Sequence, residues 1–439
     1  MGWFIAVILV VAGLAVRAEP LTVLAASPVL APFSDRWELG GVLVDSSDLV
    51  LAALAVMLVL RPATFRLRAR VPAFRTWFAL GLLACAAYLT AEQNQQYITD
   101  PVRLAYQLYR YCWKPLLFYP LTAMLLRERA DFERVLVASV LGAVLCSASA
   151  ISQGYAGLRA TGPFGYSPND MGGALILPLM ACLFWLVESP SRRARWLSGI
   201  ATLVMVRALL FSGSRGAMAG ILAGGCLLVS GLRATSRGRQ RIRQLATMAM
   251  LILMGITLVR GNPLERPSVR RFVAGDAEEE EHGSNLQWRR EQRWPHFLEQ
   301  VQRHPWLGVG TDVDLSLGDD ANTPHNGYLS IAVTSGVPAF VLFLLLVANA
   351  LREGRFASRR AREEWQRHMA VAVSAALVSV LVHNLVDSTF MVPAVIQSFC
   401  MFAAIAARLG QEARHPLEAA DTVMARPQTT IRLAEARPG

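Results

Sequence analysis

Residues 326–350 read NGYLSIAVTSGVPAFVLFLLLVANA and decide the fold, because this run of 25 residues contains no charged side chain. An α-helix needs about 20 mostly apolar residues to cross the hydrocarbon core of a bilayer. Over the whole chain 54% of residues are hydrophobic and only 17% are charged, against roughly 25% charged in soluble domains. We therefore exclude a soluble enzyme and predict an all-α, polytopic integral membrane protein with 12 transmembrane helices. The apolar runs are 3–16, 47–60, 76–90, 116–126, 135–150, 171–187, 196–211, 216–232, 244–259, 326–350, 369–386 and 390–407.

The basic residues divide the connections between these runs into two alternating sets. A net charge of +11 could indicate nucleic-acid binding, but the arginines cluster in short segments between apolar runs, as in cytoplasmic loops of membrane proteins. We predict no nucleic-acid binding, twelve crossings and both termini inside. The predicted cytoplasmic connections are 61–75, 127–134, 192–195, 233–243 and 352–367, and the outer ones are 91–103, 154–170, 212–215, 260–325 and 387–389.

The N-terminal part offers three apolar pieces, 3–16, 20–33 and 47–60, for two crossings. The middle piece is short and contains three prolines, which interrupt the hydrogen bonding of a helix. The sequence therefore favours an extracytoplasmic or re-entrant segment at 20–33 over a full helix.

The chain divides into four predicted regions: an N-terminal transmembrane region 1–259, a large periplasmic loop 260–325, C-terminal transmembrane helices 326–408 and a polar cytoplasmic tail 409–439. We expect the acidic run 276–281 to be a solvated part of the loop. The six cysteines occur singly in apolar runs, without the spacing of a metal site. We interpret them as small core residues and predict neither a metal nor another cofactor.

Arg215 lies in FSGSRGA, 211–217, a break of small residues between two apolar runs. A charge so close to hydrocarbon is costly and marks a candidate functional site, and a planar guanidinium suits the paired oxygens of a phosphate. The alternative is an arginine that extends its side chain to the membrane interface.

His325 precedes the apolar run 326–350 and so falls at the N-terminal end of a predicted helix. The positive end of a helix dipole disfavours imidazolium, and a neutral imidazole can act as a general base. The alternative is a capping or interfacial histidine. His383, which also lies in an apolar run, is interpreted as a polar contact between helices.

Further arginines fall on the predicted outer side, at Arg159 and in WRREQRW, 288–294, which contains Arg289 and Arg290. Their concentration suggests recognition of an anionic, lipid-linked group such as pyrophosphate. The second segment could equally be an amphipathic helix at the interface, with Trp288, Trp294 and Phe297 entering the lipid. We find no P-loop and no Asp-x-Asp motif, which argues against ATP or a nucleotide sugar as substrate.

Several short motifs occur in a characteristic order on the predicted outer side. They are TGPFGYSPN at 161–169, GSRG at 213–216, Arg290-x-x-x-Trp294, HPWLGVG at 304–310, HNGYL at 325–329 and SGVP at 335–338. Together with the twelve-span plan, this pattern resembles the O-antigen ligase and polymerase superfamily and extends over most of the chain.

The resemblance implies a GT-C-like membrane glycosyltransferase of the bacterial inner membrane, which takes a glycan from undecaprenyl pyrophosphate on the periplasmic face without a metal. It maps the catalytic histidine to His325. The residues that it assigns to the donor pyrophosphate are Arg215 with Arg159 or Arg290, and we include the adjacent Arg289. Direct displacement by a deprotonated acceptor hydroxyl would invert the anomeric centre.

Three activities within the superfamily compete: an O-antigen ligase with a lipid A–core acceptor, an O-antigen polymerase and a protein O-oligosaccharyltransferase. One large outer loop late in the chain is typical of ligases, whereas polymerases tend to have two. The third activity usually comes with a longer C-terminal extension than the residues after Arg408 provide. An alternative of another class is a transporter of a lipid-linked glycan, for which we see no paired broken helices.

Overall fold

A computed structural model of the chain describes residues 13, 18–30, 37–39, 42–65, 71–90, 104–106, 108–156, 160–164, 167–189, 191–233, 289–310 and 324–414. Twelve α-helices and one small hairpin form these parts. The helices are α1 (Pro20–Leu30), α2 (Ser46–Leu60), α3 (Phe74–Thr90), α4 (Lys114–Leu125), α5 (Arg129–Tyr155), α6 (Pro168–Glu188), α7 (Arg192–Ser212), α8 (Arg215–Leu232), α9 (Trp294–Arg303), α10 (Gly327–Arg360), α11 (Glu364–His383) and α12 (Pro393–Arg414).

Seven of these helices, α5 to α8 and α10 to α12, are long and apolar enough to cross a membrane, and α1, α2 and α3 are shorter apolar helices. The prediction of a polytopic α-helical membrane protein is confirmed. Ten of the twelve predicted runs coincide with described helices. The run 244–259, and 3–16 apart from Gly13, lie outside the described residues, as does the tail from 415 onward.

The described residues depart from a purely helical plan in one place. Strand β1 (Trp37–Leu39) pairs with β2 (Val42–Val44) in an antiparallel hairpin, in which Trp37 lies opposite Val44. Asp45 follows β2 directly and caps α2 by accepting hydrogen bonds from the backbone N–H groups of Ser47 and Asp48.

The bundle has two distinct ends. We call the one formed by 61–65, 126–134, 188–195 and 352–367 the basic end, because it carries the arginine-rich connections. Ion pairs and hydrogen bonds join helices there, including His368 Nδ1 to Glu188 Oε2 at 2.8 Å and Arg414 Nε to Glu353 Oε2 at 3.0 Å. We call the opposite one, where α6, α8 and α10 begin and α11 ends, the site end.

Helix α1 confirms one part of the prediction for 20–33 and corrects another: the segment is shorter than a full span, but it does not lie at the site end. Residues 20–30 are helical, and the turn before them lies at the basic end, where Arg134 pairs with Glu19 and the Arg61 Nη2 donates to the Ala18 carbonyl at 2.7 Å. Halfway along α5, Gly142 lies against the backbone of Pro28, so α1 reaches into the bundle from the end opposite to the one expected. The sequence misled because Pro20 occupies the first position of the helix, where a missing N–H costs nothing.

The contact between α8 and α11 relies on glycine. A Cβ at Gly220 or Gly224 would collide with Ser379, and one at Gly216 would lie 2.6 Å from Val386 Cγ2. Small residues on one face allow two backbones in a membrane to approach closely. This contact holds the beginning of α8 against the end of α11, which is where the candidate site lies.

Lys114, the only lysine of the chain, begins α4 in a buried polar cluster. Its Nζ lies 2.7 Å from Asp45 Oδ2 and 2.8 Å from Asp48 Oδ1, and the Tyr109 hydroxyl donates to Asp48 Oδ1 at 3.0 Å. Burial acts to raise the pKa of Asp45, but the Lys114 charge holds it below its usual value. We call Asp45, Asp48, Tyr109 and Lys114 the Lys114 cluster, and it ties α2 to α4.

Candidate functional site

Four helix termini meet at the site end. Gly172 of α6 lies against Ser214, which precedes α8, and Gly173 lies against Thr389, which follows α11. The first residue of α10, Gly327, donates its N–H to the carbonyls of Asn384 at 2.8 Å and Asp387 at 2.7 Å. The motifs that are far apart in the sequence therefore come together at one point.

The GSRG motif forms the tight turn between α7 and α8. Gly213 has φ +65°, a left-handed conformation that ends α7, and the Ser214 hydroxyl accepts from the Ala217 N–H at 3.3 Å to begin α8. Gly216 allows the close contact with α11. Arg215 is therefore the first residue of α8 and is exposed beside the junction.

The HNGYL motif begins α10. The Asn326 side chain caps the helix by accepting from the N–H groups of Tyr328 at 3.1 Å and Leu329 at 3.0 Å, and the backbone N–H of Asn326 donates to Ser388 Oγ at 3.0 Å. A side chain at Gly327 would collide with Asn384. The tyrosine hydroxyl of the motif donates to the Leu381 carbonyl at 2.8 Å. The motif thus fixes the beginning of α10 on the end of α11.

His325 lies directly before this cap, in a strained backbone conformation. Its φ of +47° falls in the left-handed region, which is costly for a residue with a side chain and is found most often at functional sites. The side chain is 30% exposed, and its Nδ1 lies 3.7 Å from Asp387 Oδ1, longer than a hydrogen bond.

Asp387, in the turn after α11, is the buried acid of the site. Burial acts to raise the pKa of its carboxyl, but the neighbouring His325 and His383 and the Ser388 N–H hold the pKa below the usual value. That N–H donates to Asp387 Oδ1 at 2.8 Å. A carboxylate that stays charged beside an imidazole can orient the ring and stabilise its protonated form.

His383 is fully buried at the last turn of α11. Its ring lies under Gly216, whose Cβ would come within 2.9 Å of the Nδ1 atom, and close enough to Asp387 for their charges to interact. This position agrees with a polar contact between helices. His383 also lies between Gly216, which follows Arg215, and Asp387, the acid beside His325.

A second carboxylate, Asp170, escaped the sequence analysis. It lies in the first turn of α6, where its N–H donates to the capping Ser167 hydroxyl at 3.1 Å, and its charge interacts with that of Asp387. The motif SPND at 167–170 is a helix-start pattern, a capping serine followed by proline, and it could have placed this acid at the site end.

Part of the TGPFGYSPN motif is held by one glutamine. Gln153 Oε1 accepts from the N–H groups of Thr161 at 2.8 Å and Gly162 at 2.9 Å, and the Ala160 N–H donates to the Phe211 carbonyl at 3.1 Å. These bonds bring residues 160–164 to the end of α7. Arg159 lies outside the described residues.

Arg290 lies in a π-helical turn, Arg289–Arg293, before α9, and it is exposed. The Trp294 indole that follows donates to the Pro324 carbonyl at 3.0 Å, so this segment lies next to the backbone of His325. Phe297 is buried in the protein, so the alternative in which its ring enters the lipid at the interface is wrong for this residue. Trp288 and the side chain of Arg289 lie outside the described residues, and so does the acidic run 276–281.

The HPWLGVG and SGVP motifs contact each other. Helix α10 is broken at Gly336, which has φ +81°. The helical segment before the break accepts two hydrogen bonds from the loop: the Val309 N–H donates to the Val333 carbonyl at 2.8 Å, and the Gly310 N–H donates to the Thr334 carbonyl at 3.0 Å. The Val337 N–H in turn donates to the Pro305 carbonyl at 2.8 Å. Gly308 and Gly336 are required because a Cβ at either would collide with the other backbone.

The described part of the chain contains no group of three histidine, cysteine, aspartate or glutamate side chains that could hold a metal ion. The six cysteines are free thiols. The chemistry available at the site end therefore consists of the imidazoles of His325 and His383, the buried carboxylate of Asp387, the half-buried carboxylate of Asp170 and exposed guanidinium groups.

Residues 200–344 match the model of a protein family described as O-Antigen ligase. The match begins in α7 and ends in α10, and it includes Arg215, Arg290 and His325. It supports the resemblance to the O-antigen ligase and polymerase superfamily, whose members are glycosyltransferase-like enzymes. A comparison with curated proteins found no match.

Proposed function

We propose that this membrane protein is an O-antigen ligase, which transfers a polysaccharide from undecaprenyl pyrophosphate to lipid A–core on the periplasmic face of the bacterial inner membrane. The observation that carries the proposal is His325, which is held in a left-handed conformation beside buried Asp387. The family match covers this residue and Arg215 together.

His325 is the proposed general base. It accepts the proton of an acceptor hydroxyl, the oxygen forms a bond to the anomeric carbon of the donor sugar, and the bond from that carbon to the pyrophosphate oxygen breaks. The electron pair leaves with undecaprenyl pyrophosphate, and the anomeric centre is inverted. Asp387 is a positioning residue in this scheme, because its charge stabilises the imidazolium that the proton transfer creates.

The arginines are assigned to the leaving pyrophosphate, whose negative charge grows as the bond breaks. Arg215 is exposed at the first turn of α8, where the helix dipole adds positive potential, and Arg290 is exposed beside the loop that leads to His325. Arg159 and Arg289 remain proposals from the sequence.

The orientation follows from the arginine distribution. Cytoplasmic connections of membrane proteins are rich in arginine and lysine, which assigns the basic end to the cytoplasm. The site end then faces the periplasm, where lipid A–core and the exported donor are both available.

The test is transfer by the purified full chain, given lipid-linked O-antigen and lipid A–core in detergent. Covalent product supports the proposal. Movement of the donor across a liposome without product would identify a transporter. Lipopolysaccharide from a deletion strain separates the related activities: loss of all polymer from lipid A–core indicates the ligase, whereas core bearing one repeat unit indicates the polymerase.

A further inference from the structure

One face of α7 is not covered by the described protein. Trp196, Ile200 and Leu203 are 61%, 55% and 49% exposed and follow each other at helical spacing, so they form a stripe that faces acyl chains in a bilayer. Arg207 is the next residue of this stripe, four positions after Leu203. A guanidinium on a lipid-facing stripe is costly and requires a polar partner or a route to the interface.

Two aromatic rings hold Arg207 near the site end. Its guanidinium carbon lies 4.3 Å from the centroid of Phe211 and 5.5 Å from that of Tyr155. Within the described ranges Nη2 is shielded from solvent without a hydrogen bond, and Arg207 forms no ion pair. Contact with aromatic rings covers the faces of a guanidinium and leaves the N–H groups at its edge for an anion; at Arg207 these are the groups on Nε and Nη1, because Nη2 is shielded.

The same rings border the candidate site. The backbone carbonyl of Phe211 accepts the hydrogen bond from the Ala160 N–H that holds the 160–164 segment, and Gly154, next to Tyr155, lies against the Phe211 ring. Arg215 follows after the turn at Gly213. Arg207 therefore lies on α7 six residues before Gly213, close to the helix break that is followed by Arg215.

We propose that Arg207, whose guanidinium lies beside the paired rings of Tyr155 and Phe211, binds the phosphate of a membrane lipid whose chains lie along the stripe of α7. The phosphate belongs either to a polyprenyl phosphate, so that Arg207 receives the donor as it approaches from the bilayer, or to a glycerophospholipid. Only the first source rests on the proposed function.

The experiment is native mass spectrometry of the purified full chain in detergent with added undecaprenyl phosphate, dioleoyl phosphatidylglycerol or dioleoylglycerol, which lacks phosphate. We expect Arg207→Gln to reduce the retention of phosphate-bearing lipid by about tenfold, the value of a lost charge-assisted hydrogen bond. Dioleoylglycerol retention should not change. Arg193→Gln, at the other end of α7 and also exposed, is the matched control and should retain both phosphate lipids.

A loss confined to undecaprenyl phosphate supports a donor site, and a loss confined to phosphatidylglycerol supports a phospholipid site. Equal retention by Arg207→Gln and the unmodified protein overturns the proposal and leaves an arginine that only extends to the interface. Phe211→Leu, which keeps the charge and removes one ring, should weaken the same lipid if Arg207→Gln folds poorly. These binding measurements use no acceptor, so their outcome tests lipid binding at Arg207 whether or not the protein transfers glycan.

Discussion

Two buried polar clusters in this bundle have opposite character. In the Lys114 cluster a lysine lies within 2.8 Å of two carboxylates and a tyrosine donates to one of them. At the site end, His325 Nδ1 lies 3.7 Å from its acid and is shielded without a hydrogen bond in the described structure. The first cluster is complete by itself, and the second has capacity left for a substrate, so the first should govern stability and the second activity.

The largest effect on activity is expected at His325. His325→Ala should lower the rate of transfer by about 10²–10⁴, because a general base is removed, while insertion and donor binding stay near normal. The measurement is turnover by purified protein, with thermal unfolding in detergent as the check that the variant is folded. More than about a tenth of normal turnover would reduce His325 to a capping or positioning group.

The largest effect on stability is expected at Lys114. Lys114→Met should cost about 1.5–3 kcal/mol, because it removes the charged hydrogen bond and ion pair that Lys114 makes with two half-buried carboxylates. Thermal unfolding in detergent measures this loss. If Lys114→Met unfolds at the normal temperature but does not transfer glycan, the contrast between the two clusters is contradicted, because the Lys114 cluster would then take part in the reaction.

Asp387→Asn tests the positioning role. The amide keeps the shape but cannot form the charged hydrogen bond that would tighten from 3.7 Å once His325 is protonated, so kcat should fall about 10- to 100-fold with little change in KM. Steady-state kinetics at varied acceptor concentration separate the two parameters. A rise in KM with kcat unchanged would place Asp387 in acceptor binding instead.

Arg215→Lys tests whether a planar guanidinium is needed. The charge is conserved, but a point ammonium cannot form two parallel hydrogen bonds to phosphate, so transfer should fall about tenfold or more. Arg193→Lys, on the basic end, is the matched control. Normal transfer by Arg215→Lys would leave Arg215 as an interfacial residue.

The smallest effect is expected from one methyl group on α8. At Gly216 it would come within 2.9 Å of His383 Nδ1, so Gly216→Ala should cost about 1–3 kcal/mol of stability or shift His383 enough to slow transfer. At Gly225 nothing lies within 4 Å, and Gly225→Ala should be neutral or slightly stabilising. Equal behaviour of the two variants would contradict the close contact of α8 with α11.

The motifs could be read from the sequence because each is local. Gly213 and Ser214 end one helix and begin the next, and Asn326 caps α10, so composition and order sufficed to place Arg215 and His325 at helix starts. The membrane helices could be predicted equally well, because each one must by itself be long and apolar enough to cross the bilayer.

The partners of these residues could not be predicted, because they depend on which helices pack together. Asp387 follows His325 by 62 positions, and Asp170 precedes it by 155. Nothing in the sequence indicates that Gly216 brings α8 onto α11. The end of the bundle at which α1 lies was predicted wrongly for a related reason, since its position depends on Arg134 and Arg61, which lie far along the chain.

The break in α10 has a mechanical consequence. The loop at 304–310 donates hydrogen bonds to α10 before Gly336 and accepts one from α10 after it. The loop therefore cannot separate from the helix without breaking hydrogen bonds on both sides of the break. The nine residues 327–335 form a rigid arm about 13 Å long, at 1.5 Å per residue, with the loop fastened at its base and His325 at its tip. A displacement of the loop at 304–310 would therefore be passed through residues 327–335 to the backbone beside His325.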